Sequence, residues 1–252
     1  LSAGESPEND GAVVFREIER FFEAYDYFVR NKRTFVELKS AVSQDGYMAA
    51  RLRDGGGAPL KITAQGANCW NHELRAMSDA VLVGAGTLLS DNPLLDVRLA
   101  RGNNPVKVLW AGHREFTPRD ISRLAFFTDV ADGVMRIVFS CVAQPNIQGV
   151  EVVLLSRESF AGNWCEMLAE LAARGMHRLM VEPGANLAAA LFDCGLWNRL
   201  DLWKSSDASV DCRLEQSEAC GIPYPELPGS IVARESYMVG PDVLTVYENS
   251  GA

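Results

Sequence analysis

A layered α/β fold, with helices on both sides of a mixed and mostly parallel central sheet, is what this sequence predicts, on three observations. Short apolar runs alternate with helix-period stretches through most of the chain, the order expected of parallel strands joined by crossover helices. Two of those runs, AVLVGAGT (80–87) and RLMVEPGAN (178–186), end in a glycine turn that opens straight into a helix. The tail SIVARESYMVGPDVLTVYE (230–248) holds two strand-like runs joined at Gly240-Pro241, which predicts an antiparallel hairpin at one sheet edge.

The elements follow in order. Residues 1–12, LSAGESPENDGA, are polar and acidic with Gly and Pro, and read as a disordered lead-in. From Phe15 to about Arg30 apolar residues recur at helical spacing, so residues 1–33 read as lead-in plus connector helix and 34–252 as the main domain. TFVELKSAV (34–42) reads as a strand with Phe35, Glu37, Lys39 and Ala41 on one face, followed by a Gly- and Arg-rich loop over 44–61. A helix is expected over 63–78 with Thr63 as its N-cap, then strands at 80–84, 106–111, 135–140 and 150–155. NWCEMLAELAARG (163–175) reads as a helix ending on glycine, HRLMVE (177–182) as a strand and GANLAAALFDCG (184–195) as a helix. Between Trp203 and Gly229 the chain turns polar and irregular.

Composition narrows the function. The 252 residues are 48% hydrophobic with a net charge of −9, so a non-specific nucleic-acid binder is disfavoured. No apolar run is long enough to span a bilayer. The six cysteines form no CxxC pair and His72, His113 and His177 lie far apart, which argues for reduced thiols, a cytoplasmic location and no zinc site.

The candidate chemistry sits at the two glycine turns. Each is either an ordinary strand-to-helix connection or a backbone shaped to let an anionic ligand approach a helix N-terminus at the carboxyl end of a strand. Each carries an acid, Asp91 or Glu182. Arg75 and Arg98 are candidate anion partners, because a guanidinium matches a phosphate bidentately. Lys39 is either an edge-strand lysine or one that points into a cleft near a carbonyl or imine.

The stretches LKSAVSQDGYMA, LRAMSDAVLVGAGTLLSDNPLLDVR and VEPGANLAAALFDCGL resemble the reductase domain of bacterial riboflavin biosynthesis, the C-terminal half of the bifunctional deaminase–reductase. That family lies in the dihydrofolate reductase-like superfamily. The resemblance runs from about Phe21 to the end, and its most specific part is the order His72, Arg75, Asp79, Thr87, Asp91, Arg98. It implies a homodimer that uses NADPH to reduce the ribosylamino group of a pyrimidine ribosyl 5′-phosphate to ribitylamino. It implies cofactor contacts at Ala41, Lys61, Thr87, Asp91, Gly184, Ala185, Asn186, Leu187 and Ala188, and substrate contacts at Arg75, Leu95, Arg98 and Glu182. Lys39 matches the family lysine that approaches the carbon being reduced, with Asp91 and Glu182 beside it; which of the three gives the proton stays open. The chain departs from the family pattern at Pro59, Lys61, Gly112 and Pro183, and lacks the HxE and PCxxC of a zinc deaminase, so a deaminase domain is expected to be missing from it. The alternatives are the same fold acting on the non-deaminated diaminopyrimidine or another carbonyl compound, and a catalytically silent binding subunit.

Overall fold

The structure, a computed structural model, describes residues 20, 22–51, 57–58, 62–130, 133–206 and 220–251. The expected lead-in over 1–12, Pro59 and Lys61 lie outside the described residues.

A helix α1 over residues 22–31, with Arg20 helical just before it, leads into strand β1 (Phe35–Val42). Strands β2 (Tyr47–Arg51) and β3 (Gly57–Ala58), helix α2 (Gln65–Ala76), strand β4 (Ala80–Gly84) and helix α3 (Ala85–Asp91) follow. Next come β5 (Val106–Gly112), α4 (Pro118–Arg123), α5 (Ala125–Thr128), β6 (Arg136–Ser140) and β7 (Glu151–Leu154). The chain continues through α6 (Phe160–Ala173), β8 (Arg178–Glu182), α7 (Ala185–Cys194), β9 (Arg199–Ser205), β10 (Cys220–Pro223), β11 (Ile231–Val239) and β12 (Asp242–Asn249).

Nine strands form one sheet in the order β11-β12-β9-β1-β8-β4-β5-β6-β7. From β9 to β7 every pairing is parallel, while β12 runs antiparallel to β9 and β11 antiparallel to β12. The mixed sheet and its C-terminal hairpin are therefore as expected. The central strands bury both faces, which is why β4 and the middle of β6 (residues 137–139) read as apolar runs without alternation. On one face Leu38, Leu82, Ile137 and Val181 pack against Trp164, Met167 and Leu171 of α6 and Leu191 of α7. On the other, Val81, Val83, Leu109 and Met180 pack against Leu74 of α2, Leu88 of α3 and Phe126 and Phe127 of α5. Helices on both faces complete a three-layer α/β/α architecture.

Several details differ from expectation. The stretch over 44–61 is not wholly loop: β2 and β3 join β10 in a separate three-stranded sheet, so part of the polar region after Trp203 is also strand. Their short length and mixed composition hide them from a periodicity argument. The N-cap of α2 is Ala64, not Thr63, and its backbone N–H donates to Asp242 Oδ2 at 2.7 Å, so a distant carboxylate replaces the local hydroxyl. Helix α6 starts earlier than expected because Ser159 Oγ accepts from Gly162 N–H and caps it there. Gly175, just past its C-cap, and Gly195, which ends α7, hold φ of +78° and +67°, conformations that favour glycine. Helices α4 and α5 were not anticipated; a Thr117–Asp120 capping box with Pro118 at the first position starts the former.

Candidate active site

Strands β4 and β8 are hydrogen-bonded neighbours in the middle of the sheet. Helix α3 leaves β4 onto one face and α7 leaves β8 onto the other, and where successive helices part in this way the carboxyl ends of two parallel strands leave a crevice between them. The two glycine turns meet there. A Cβ at Gly184 would stand 3.0 Å from Thr87 Oγ1, and one at Gly84 would stand 3.5 Å from Leu187 Cδ2.

The crevice opens into a cleft of about 250 Å³. Lys39 and Ala41 reach it from β1, Glu182 and Pro183 from the end of β8, and Thr87 and Asp91 from α3. Ser40, Met48, Ile62, Thr63 and Asn68 also line it and were not among the expected residues. Helix α7 begins beside it at Gly184, with no side-chain cap and no acid in its first turn. The first intrahelical acceptor is Gly184 O, taken by Ala188 N–H at 2.9 Å, which leaves the N–H groups of Ala185, Asn186 and Leu187 without helical partners. Pro183, just before, has no N–H to add.

Lys39 is not on a sheet edge: β1 lies between β8 and β9. Among the described residues no hydrogen bond or ion pair engages its Nζ. Burial pushes its pKa below the ordinary lysine value, Glu182 and Asp201 oppose that, and Arg75 adds to it. Lys39 therefore releases its proton more readily than a solvated lysine.

Arg75, expected as a phosphate partner, makes three hydrogen bonds within the protein. Its Nε and NH2 donate to Glu182 Oε1 and Oε2 at 2.6 and 2.9 Å, and its NH1 donates to Asp96 O at 3.1 Å. Burial alone would raise the Glu182 pKa, but this forked guanidinium, with Lys39 behind it, holds the carboxyl below its usual range. Asp91 is different: burial pushes its pKa up, the Ser90 hydroxyl works against that, and the negative charge of Glu182 adds to it.

The Asp91–Arg98 stretch is held by several separate contacts. Asn92 sits in the left-handed region (φ +43°) at the C-cap of α3, and its Oδ1 accepts from Ala125 N–H at 2.7 Å, tying α3 to the start of α5. Leu95, expected at the substrate, is also left-handed (φ +54°), and its side chain is buried in the core beside Leu88 and Phe116. Arg98 donates its backbone N–H to His72 Nδ1 at 3.2 Å, while its exposed side chain pairs with Asp96 and does not line the cleft.

A central α/β sheet with a cleft at its topological switch point, a lysine unpaired among the described residues and a bare helix N-terminus at the wall is an arrangement suited to an anionic ligand. Residues 34–204 match the model of the RibD C-terminal domain, and the chain belongs to that family. It is 30% identical over 160 residues to the 2,5-diamino-6-ribosylamino-4(3H)-pyrimidinone 5′-phosphate reductase of Aquifex aeolicus, covering 62% of this chain and 69% of that protein. It is 25% identical over 181 residues to the riboflavin biosynthesis protein RibD of Actinobacillus pleuropneumoniae, covering 69% of this chain and 46% of that protein. The chain spans about half the length of the RibD proteins it matches. Among solved structures, the bifunctional diaminohydroxyphosphoribosylaminopyrimidine deaminase/5-amino-6-(5-phosphoribosylamino)uracil reductase of Thermotoga maritima shares the fold, with a TM-score of 0.71 at 24% identity over 94% of this chain and 62% of that one. Among the described residues no helix is long and apolar enough to cross a membrane.

Proposed function

We propose that this chain reduces the ribosylamino group of a pyrimidine ribosyl 5′-phosphate to ribitylamino, with NADPH as donor. The observation that carries the reading is Lys39: an ammonium without hydrogen bond or ion pair among the described residues, on the floor of a cleft flanked by two carboxylates and the open N-terminus of α7. The names of the relatives support the substrate class.

The cleft fits the cofactor on its own residues. Bare N–H groups of Ala185, Asn186 and Leu187 suit a phosphate, and the absence of a Cβ at Gly184 lets that backbone lie against the Thr87 hydroxyl. NADPH supplies a hydride, so the protein's part is to hold the acceptor carbon in line and to move a proton. Opening of the ribosylamine to its imine or aldehyde form creates a group that needs that proton, and Lys39 Nζ is the donor. Glu182, kept ionised by Arg75, balances the ammonium and holds its charge in the cleft; Asp91, which keeps a proton more readily than an ordinary carboxyl, recharges Lys39. Arg75 acts here through Glu182. Arg98, exposed and tied only to Asp96, is free to swing to the substrate phosphate. The protein acts as a homodimer, which light scattering will check; a monomer at assay concentration would contradict this.

The direct test is NADPH oxidation measured side by side with the deaminated and the non-deaminated ribosylamino pyrimidine phosphates. Turnover of the deaminated compound is the expected result. Turnover of the other alone would reassign the substrate, and no turnover together with no NADPH binding would leave a silent subunit. Lys39→Ala lowers kcat and Arg98→Ala raises KM.

A further inference from the structure

Strand β1 carries two charged residues on one face, Glu37 and Lys39, and both are answered by residues from other elements. Glu37 has no exposed surface; its Oε2 accepts from Arg178 NH1 at 2.5 Å and its Oε1 from Arg20 NH2 at 3.0 Å. Arg20 also donates to Asp201 Oδ2 at 2.6 Å and lies over the Trp70 ring, 5.0 Å from its centroid. Trp70 Nε1 donates to the same Oδ2 at 3.3 Å. Asp201 is fully buried on β9 and is the register partner of Lys39, so the two side chains stand on neighbouring strands and on the same face.

The other oxygen of that carboxylate, Asp201 Oδ1, is buried and has no hydrogen-bond partner among the described residues. A carboxylate oxygen with an unmet need thus stands one strand away from an ammonium group that has no partner among the described residues either. Left to themselves the two would close into an ion pair, because a buried charge gains more from a partner than it loses in side-chain freedom. Arg20 and Trp70 both hold the carboxylate by Oδ2.

We propose that Arg20, at the head of the connector helix, is a positioning residue for Lys39: by engaging Asp201 it keeps that carboxylate from capturing the lysine beside it, and so leaves the ammonium group facing the cleft. This rests on the reading of Lys39 as the proton donor, and it extends the site to a residue ahead of the 34–204 segment that matches the family model. The charged groups around Lys39 are Glu182 from β8, Asp201 from β9, Arg75 from α2, Asp91 from α3 and Glu37 on β1 itself; Arg20 of α1 reaches the set only through Asp201 and Glu37. Asp201 already draws the Lys39 pKa upward against burial; burial and Glu37 push the Asp201 pKa up and Arg20 opposes them, so loss of Arg20 strengthens the pull on Lys39 in the alkaline range where Asp201 is ionised.

The test reads the lysine directly. Trace acetylation with acetic anhydride across the neutral to alkaline range, followed by mass spectrometry of the peptide carrying Lys39, gives the pH midpoint of its reactivity in the full chain without cofactor or substrate. Arg20→Met should raise that midpoint by about one pH unit, the scale of one added close charge, and move the alkaline limb of kcat with it. Arg20→Lys should restore part of the original value. Asp201→Asn should lower the midpoint, and in that background Arg20→Met should add little, since it acts through Asp201. An unmoved midpoint in folded Arg20→Met, or an Asp201→Asn midpoint equal to wild type, overturns the proposal; the second variant decides if the first does not fold. A moved midpoint without any NADPH-dependent turnover would sustain the coupling and sink the reductase reading instead.

Discussion

Glu37 and Lys39 stand two residues apart on the same face of the same strand, and the fold treats them in opposite ways. Glu37 is enclosed by Arg178 and Arg20, each within hydrogen-bond reach, and burial of the carboxylate is outweighed by those guanidinium groups, which hold its pKa low. Lys39, one pleat nearer the carboxyl end of the sheet, has only long-range company, and its pKa falls instead. The first charge is saturated and contributes to structure; the second is left unsatisfied where the sheet opens into the cleft. Such a charge costs stability, and groups of this kind cluster at functional sites.

The sharpest way to break this comparison is to remove each charge in turn. Glu37→Ala leaves Arg178 buried without its carboxylate and should cost about 3–5 kcal/mol in urea unfolding. Lys39→Met should cost no stability and should raise it slightly, while kcat falls about 10²–10⁴-fold, the span of a positioned acid. Equal destabilisation by the two would mean that Lys39 is as tightly paired as Glu37. Arg75→Met comes next. Because it leaves the Glu182 carboxylate without its fork, a lower melting temperature and a fall in kcat are expected; a rise in KM alone would show that Arg75 holds substrate after all.

The pH dependence separates the same groups. The folded Glu182 pKa lies below its unfolded value, so its contribution is fully present above the unfolded pKa and is lost as pH falls through the folded one. Melting temperature should therefore drop on acidification below about pH 4, near the unperturbed carboxyl values, and Glu182→Gln should flatten that drop. On the alkaline side kcat should decline at a pH below 10.5, the ordinary lysine value, because burial makes Lys39 lose its proton early. The smallest effect is expected at the paired glycine turns. Gly184→Ala places a Cβ 3.0 Å from Thr87 Oγ1, so the hydroxyl must give way by a few tenths of an ångström. NADPH affinity measured by calorimetry should fall by about tenfold or less, on the order of 1 kcal/mol, and Thr87→Ser should not restore it as well as Thr87→Ala.

Much of the fold was legible in the chain because the signals were local. Strands β4, β5, β6 and β8 are apolar runs bounded by turns, and the C-terminal hairpin announces itself at Gly240-Pro241. Strand β10 was missed because its partner β2 lies far away in the chain, and β2 and β3, which pair locally, because they are short and mixed in composition. At the site, Lys39, Ala41, Thr87, Asp91 and Glu182 do meet around one cleft. The sequence could not tell that Arg75 is spent on Glu182, that Leu95 turns into the core, or that Arg98 faces solvent. Asp201 and Arg20 were passed over, although one clue was present: two charges at alternate positions in an otherwise apolar strand imply partners on the same buried face.

What the amino-acid order decided unaided was the menu: which stretches become strands or helices, where glycine permits a turn, and which groups are chemically able to take part. These follow from steric and hydrophobic preferences acting over a few residues. What only the tertiary structure decided was which charges are neutralised and which stay exposed to a ligand. Insertion of β8 between β1 and β4 brings Glu182 beside Lys39, and docking of α1 carries Arg20 to Asp201. Electrostatic energy depends on distance and on the surrounding dielectric, and in a buried sheet both are set by strand order and packing, not by neighbours along the chain.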